Sequence, residues 1–262
     1  MSSQVSLDLL PVRSEPAYRS IARLLRSKIL IGEWVRGAKL PSEMILAEHL
    51  GVNRSTLREA IRSLEENGLL RRSGSKHLLV SAPQGPDIAS RMTDAIVLQE
   101  ITFFELWESM RCLEPILAEG AAARITDEEL LALDLNIECT RHALSDQQQL
   151  TFLDIEFHNL IAHASRNRAL QLCREPISQL FYPAFLQVFS RLNAGERLLI
   201  AHERILDGLH ARDGVVSRTW MDKHIVDFRR GYERANLDMS KPVIWQERSP
   251  SAQTDNSTEP RQ

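Results

Sequence analysis

The chain has 262 residues, 43% of them hydrophobic and 26% charged, with a formal net charge of −3. That length suggests two modest domains, and the composition is that of a globular protein with a real core, not a disordered or fibrous chain. Met1–Leu10 lacks a basic start and long apolar core, no apolar run can span a bilayer, and the odd set Cys112, Cys139 and Cys173 offers no disulfide framework, so the sequence reads as a cytoplasmic protein without a membrane partner.

The net charge hides an asymmetry. Between Pro11 and Val80 there are 13 Lys/Arg and 7 Asp/Glu, a balance of +6, which leaves −9 for the rest. A basic head on an acidic body suits a head that meets phosphates and a body that does not. The three cysteines fall in helical patterns and read as small buried apolar residues.

Residues 1–10 read as a flexible tail and residues 11–82 as a winged helix-turn-helix. Pro16 opens a first helix with Ile21, Leu24, Leu25, Ile29 and Leu30 on its apolar side. Leu40-Pro41-Ser42-Glu43 opens a second, with Ser42 as N-cap and Leu46, Ala47 and Leu50 facing inward. Gly51 permits the tight turn, Val52 fills the gap between the helices, and Asn53 can cap the third helix, which runs to about Asn67. There Leu57, Ala60, Ile61 and Leu64 form one apolar stripe. Arg54, Ser55, Thr56, Arg58 and Arg62 lie off it, the residue types that read base edges and phosphates in a major groove. Leu69–Arg72, a turn at Ser73-Gly74-Ser75, and Leu78–Val80 predict a two-stranded wing, with Gly74 and Lys76 as its DNA-facing residues.

Residues 83–100 read as a linker and linker helix, the helix running over 88–99. No strand-like alternation follows, so residues 101–238 predict an all-helical bundle, and residues 239–262 a disordered tail. Thr126-Asp127-Glu128-Glu129 is a capping box, and Pro176 and Pro183 should bend the helix spanning 167–189. In the helix ending at Ala164, Asp154 and His158 stand four apart on the border of the apolar stripe Leu153, Phe157, Leu160, Ile161. His202 lies within the stripe Leu198, Ile205, Leu206, Leu209, and His224 within Trp220, Met221, Ile225, Phe228. One Asp and three His thus point inward from three helices. Either each is a core residue bonded to a neighbour, or a divalent metal ion satisfies all four; imidazoles with a carboxylate suit zinc first, and nickel, manganese or iron also.

Residues 16–80 resemble the DNA-binding head of the GntR family of bacterial transcription regulators. The matching residues are Gly32, Gly37, Leu40-Pro41-Ser42-Glu43, Leu46-Ala47, Leu50-Gly51-Val52, Arg54, Thr56, Arg58-Glu59-Ala60, Leu64 and Gly68-Leu69. Two positions depart from the pattern: Met44 where members often carry Arg, and the wing Gly74-Ser75-Lys76-His77, where two glycines usually flank a basic residue. Residues 100–235 resemble the family's all-helical, metal-binding FCD-type effector domain, through Arg111 and Glu114 with Pro115, Asp154 and His158 in DIEFH, His202 in AHERI and His224 in DKHI.

The resemblance implies that Arg54, Ser55, Thr56 and Arg58 meet DNA, that Asp154, His158, His202 and His224 hold a metal, and that Arg111, with Glu114, meets a carboxylate effector. The expectation is a homodimeric regulator, a repressor of a catabolic operon. It would bind an inverted-repeat operator in double-stranded DNA and respond to a small organic or sugar acid. A metal-dependent hydrolase with a DNA-binding head, and a ligand-independent architectural DNA-binding dimer, are the alternatives.

Overall fold

The structure, a computed structural model, describes residues 15–74, 77–83, 85–192 and 194–244. The chain divides into two compact units, Met1–Asp87 and Ile88–Gln262. Described helices and strands number ten and two, so the fold is mostly α: a three-helix head with a small wing, then an all-helical bundle.

The head comprises α1 (Ala17–Leu30), α2 (Glu43–Leu50), α3 (Arg54–Glu66) and the antiparallel hairpin β1 (Leu70–Ser73) and β2 (His77–Val80), paired from Leu70↔Val80 to Ser73↔His77. Its core joins Ile21 and Leu25 of α1, Leu46 and Ala47 of α2, and the whole α3 stripe to Leu70, Leu78 and Val80 of the wing. Ser42 caps α2 by accepting from the Ile45 amide. Gly51 closes α2 in the left-handed conformation (φ 63°), where a Cβ is disfavoured, and so sets the turn into α3. Asn53 holds the N-cap position of α3, but its side chain makes no capping bond.

The second unit comprises α4 (Gly85–Leu98), α5 (Phe103–Ala122), α6 (Asp127–His142), α7 (Gln147–Ala164), α8 (Arg168–Arg191), α9 (Gly195–His210) and α10 (Gly214–Arg234). Capping boxes start α5 at Thr102 and α6 at Thr126, while Asp146 and Asp213 cap α7 and α10. One apolar core runs through the bundle, from Phe103 and Trp107 through Leu133, Phe157 and Phe181 to Leu209 and Met221. The Trp107 indole N–H donates to the Ile225 carbonyl at 2.9 Å, pinning α5 to α10 beside the buried histidines. α8 runs unbroken through Pro176 and Pro183.

Two expectations need correction. The cysteines are exposed, because each sits on a face of its helix turned away from the apolar stripe. Residues 239–244, assigned to the tail, instead pack on the start of α5. Met239 and Val243 are buried, Phe103 N–H donates to Lys241 O, and Val243 N–H donates to Ile101 O. The expected tails at 1–10 and beyond Ile244 lie outside the described residues, as does Lys76.

The close approach of α9 to α10 is what places two of the histidines. Gly208 faces the first turn of α10, and a Cβ there would lie 2.8 Å from the Ser217 backbone nitrogen and 2.6 Å from its Oγ. Gly208→Ala is therefore expected to lower stability by about 1–3 kcal/mol, the usual cost of overpacking a tight contact. Urea unfolding should show a lower midpoint with an unchanged slope; an unshifted midpoint would mean that the helices are free to separate.

Candidate functional site

The bundle core encloses four potential ligands. Asp154 and His158 come from α7, one turn apart, His202 from the middle of α9, and His224 from α10. One donor atom from each lies within 4.8 Å of all the others, and all four residues are buried. Asp154 Oδ1 stands 3.3 Å from His202 Nε2, 3.8 Å from His224 Nε2 and 3.9 Å from His158 Nε2. His158 and His224 face each other, Nε2 to Nε2, at 3.1 Å, an arrangement that requires a proton or a cation between two lone pairs.

Hydrogen bonding leaves this cluster unfinished. Neither oxygen of Asp154 and neither ring nitrogen of His202 has a hydrogen-bond partner. His202 is stacked flat on Phe157, with ring centroids 3.9 Å apart, so its orientation is fixed by packing. Burying such groups unpaired costs about 1–3 kcal/mol each, and more for a charge. Donors held about 2.0–2.2 Å from one ion sit about 3–3.5 Å from one another. The contacts of 3.1 to 3.9 Å lie close to that range, and the wider separations in the set, within 4.8 Å, would have to contract around a divalent ion. By donor set, spacing and unsatisfied atoms, these residues form a candidate metal site.

The surrounding groups are arranged to suit it. Glu114, fully buried on α5, accepts from His158 Nδ1 at 3.0 Å, which leaves Nε2 directed at the cluster. Its other oxygen accepts from Arg174 Nε, and Arg174 Nη1 donates to Asn159 Oδ1 at 2.7 Å. Burial pushes the Glu114 carboxyl up, but the Arg174 guanidinium and His158 outweigh it and hold the value down at about 2. Burial lowers His158, yet Glu114 more than compensates and its pKa is raised. Burial pushes Asp154 up against the pull of His158 and His224. His202 and His224 are driven well below the ordinary imidazole value, by burial first and then by neighbouring histidines, which keeps both rings neutral and ready to ligate.

The resemblance implied an effector-binding role for both Arg111 and Glu114, and the structure places them in different surroundings. Glu114 lies against His158, whereas Arg111 is half exposed, donates to Asp222 Oδ1 at 3.0 Å and lies over the Trp107 ring. The buried cation beside the cluster is Arg174, which sequence reasoning missed; nothing in the pattern of α8 distinguishes it from a surface arginine except that Ile177 and Ser178 continue its face inward. His210 pairs with Asp134 at the surface and takes no part. A small cavity of about 20 Å³ opens on the cluster, lined by Asp154, His158, His224 and Arg174 together with Met110, Phe181, Phe185 and Phe228.

In the head, Arg54, Ser55, Arg58 and Arg62 are exposed on α3, with Thr56 partly so, and Ser42 and Gly74 are exposed nearby. Glu43 gathers two cations. Arg58 Nε donates to its Oε2 at 2.7 Å and Arg72 Nη2 to its Oε1 at 3.0 Å, while Arg72 Nε also reaches Glu65 at 3.0 Å. The Arg58 hydrogen bond holds the Glu43 carboxyl below its ordinary value despite partial burial. Arg62 pairs with Glu66 along the helix.

A winged helix-turn-helix with an exposed arginine-bearing third helix, followed by a helical bundle with a buried carboxylate–histidine cluster, defines a DNA-binding transcription regulator. Comparison with known proteins gives the family. Residues 17–79 match the family described as "Bacterial regulatory proteins, gntR family", and residues 105–227 match the FCD domain. The chain is 30% identical over 232 residues to the Uxu operon transcriptional regulator of Escherichia coli (strain K12), covering 84% of this chain and 89% of that one. It is 28% identical over 205 residues to the HTH-type transcriptional repressor NanR of Cronobacter sakazakii, covering 76% of each. Among solved structures it is similar to Streptococcus agalactiae GntR, with 32% identity and a TM-score of 0.58, covering 81% of this chain and 99% of that one. The chain belongs to the GntR family, with an FCD domain as its second unit. The family is one of transcription regulators, which removes the hydrolase alternative.

The double variant His202→Ala/His224→Ala is expected to purify without stoichiometric metal while keeping its helical content. Elemental analysis and circular dichroism would check this, and wild-type metal content would rule the site out. Glu114→Gln should retain the ligands but bind metal about 10–100-fold more weakly, since the carboxylate that orients His158 is lost.

Proposed function

We propose that this regulator is a metabolite-responsive repressor of a catabolic operon, and that a small organic or sugar acid bound in the FCD domain, at a zinc-class metal site, relieves operator binding. The observation that carries the reading is the pair of unpartnered Asp154 oxygens surrounded by three imidazole nitrogens. A purely architectural body would leave those buried atoms unsatisfied without return. Asp154, His158, His202 and His224 would hold the ion, which would supply a concentrated positive charge that attracts an anionic group to the cavity beside it. Three imidazoles with one carboxylate favour zinc over harder ions; nickel, manganese and iron are the other ions this donor set accepts.

On the DNA side, Arg54, Ser55, Thr56, Arg58 and Arg62 of α3 enter the major groove. Ser42 and the wing residues Gly74 and Lys76 lie along the backbone or in the adjoining minor groove. Glu43 presents Arg58 and Arg72 in fixed directions. Two heads on a homodimer read an inverted repeat, because two-fold protein symmetry matches two-fold operator symmetry. The names of the relatives, operon regulators and a repressor, support this reading.

Coupling needs an element that both sites bias. Arg174, beside the metal ligands, lies two residues before Pro176 on α8. The Pro176 carbonyl faces Thr93 Oγ1 of α4 at 3.5 Å, the outer limit of a hydrogen bond. α4 is the helix that follows the head in the chain. Acid binding shifts α8, α8 shifts α4, and the spacing of the two heads changes.

Arg58→Ala is expected to weaken operator binding by about 10–100-fold, the worth of one good base contact, with the dimer intact by light scattering. Unchanged affinity in a mobility-shift assay would remove Arg58 from the interface. For the sensor, chelation of the purified protein should lower its melting temperature. An acid that raises the melting temperature should do so only with metal restored, and should release operator DNA. Indifference to both chelator and acids would leave a DNA-binding dimer with a structural core.

A further inference from the structure

The four clustered side chains are shut in. Those of Asp154 and His202 are no more than 1% exposed, and that of His224, at 7%, is the most open of the set. An ion can reach them only through the bundle, and two small cavities touch the cluster. One, of about 20 Å³, is the space beside Asp154 and Arg174. The other, of about 30 Å³, lies between α8, α9 and α10, with Phe185, Leu198 and Phe228 in its walls. His224, Phe185 and Phe228 line both, so the His224 imidazole stands between the two spaces. The second space holds about one water-sized group, enough for a small ion and too little for an organic acid.

Opening each space breaks a different contact. The first leads past Arg174 to the polar cavity between α7 and α8, and the buried Arg174 guanidinium is bound to Glu114 and donates to Asn159. Parting a buried pair leaves uncompensated charge away from water and is costly. The second is bounded by Arg197 of α9 and Asp227 of α10, the only Asp, Glu, Lys or Arg among its described lining residues. Arg197 donates through Nε to Asp227 Oδ2 at 3.1 Å, and through Nη2 to the same oxygen. Both side chains are close to half exposed, so water solvates each when they part and the pair is weak. His224 is also the least restrained ring. Glu114 holds His158 Nδ1 and Phe157 stacks on His202, whereas His224 Nδ1 makes no hydrogen bond among the described residues.

We propose that metal enters and leaves through the cavity between α8, α9 and α10, that the Arg197–Asp227 ion pair is the gate of this passage, and that His224 is the clustered residue that turns aside. The proposal rests on the metal-site reading above and concerns exchange of the ion, not what the domain senses. When Arg197 swings into solvent, the cleft between α9 and α10 opens at its rim. Asp227 is then left there as a free carboxylate able to take the first hold of a cation. Rotation of the His224 ring about its own side-chain bonds joins this space to the one beside Asp154.

The test is the rate at which zinc-loaded, full-length protein yields its metal to an excess of a chromogenic chelator, together with the rate at which the stripped protein takes zinc up. Arg197→Gln and Asp227→Asn should each speed both rates about two- to five-fold, the range set by the strength of an exposed ion pair. Zinc affinity should stay at the wild-type value, because a gate lies on the path and not at the site. The exchange Arg197→Asp/Asp227→Arg should bring the rates back toward wild type, and added salt should speed the wild type while leaving Arg197→Gln unchanged. Gly231→Ala should slow both rates, since its Cβ would narrow the passage while standing 3.4 Å from Val188 Cγ1, an ordinary contact. Gln179→Phe, which fills the cavity between α7 and α8, should change neither. Unaltered rates in both single variants, or slowing by Gln179→Phe, would overturn the proposal and leave the metal site standing. So would zinc release that keeps pace with global unfolding, followed by tryptophan fluorescence, in every variant. Wild-type protein that takes up no zinc would overturn the proposal together with the site.

Discussion

Asp154 is a carboxylate closed off from water by its own bundle, with no hydrogen bond to either oxygen. Most of the second unit can be understood as the means of holding it there. α7 carries it one turn from His158, α9 and α10 bring His202 and His224 against it, and α5 supplies Glu114 behind His158. Phe157 stacked on His202 and Trp107 bonded to the Ile225 carbonyl fix the rings and helices on either side. None of these helices could satisfy the carboxylate alone. The apolar core supplies the stability, and the polar cluster within it specifies which helix faces must meet.

The head works by a different rule. Its ion pairs are mostly exposed, and each is worth only about 0–1 kcal/mol. Their effect is directional, since Glu43 at the start of α2 tethers Arg58 on α3 and Arg72 on β1. Stability there comes from the α3 stripe, in which Leu57, Ala60 and Ile61 are fully enclosed.

The helices were legible in the sequence wherever the apolar period was clean and the ends were chemically marked. The α3 stripe, the Thr126 capping box and the Asp213-Gly214 break all fall where the structure puts them. The convergence of Asp154, His158, His202 and His224 was legible for a related reason, since a histidine inside an otherwise apolar stripe has few places to go. Arg174 was not. Its burial depends on Glu114 and Asn159, which lie 60 and 15 residues away, and periodicity in α8 cannot report a partner in another helix. Arg111 stands apart from the cluster. It borders the inward face of α5, but its long side chain reaches outward across Trp107 to Asp222 on α10. Small cysteines carry too little hydrophobic weight for pattern alone to say which way they face. The docking of Met239 and Val243 rests on backbone pairing with Ile101 and Phe103, which a polar, proline-containing stretch does not advertise.

The order of the clustered residues along the chain has a consequence for biosynthesis. Asp154 and His158 leave the ribosome first, on α7, His202 some forty residues after them, and His224 only with α10. Until α10 is made and folds back along α5, the cluster lacks its last imidazole and the Ile225 carbonyl that anchors Trp107. A chain truncated before α10 would still carry an intact DNA-binding sequence at its other end, but an incomplete donor set. The polar centre of the bundle therefore closes only around a polypeptide in which α10 is in place.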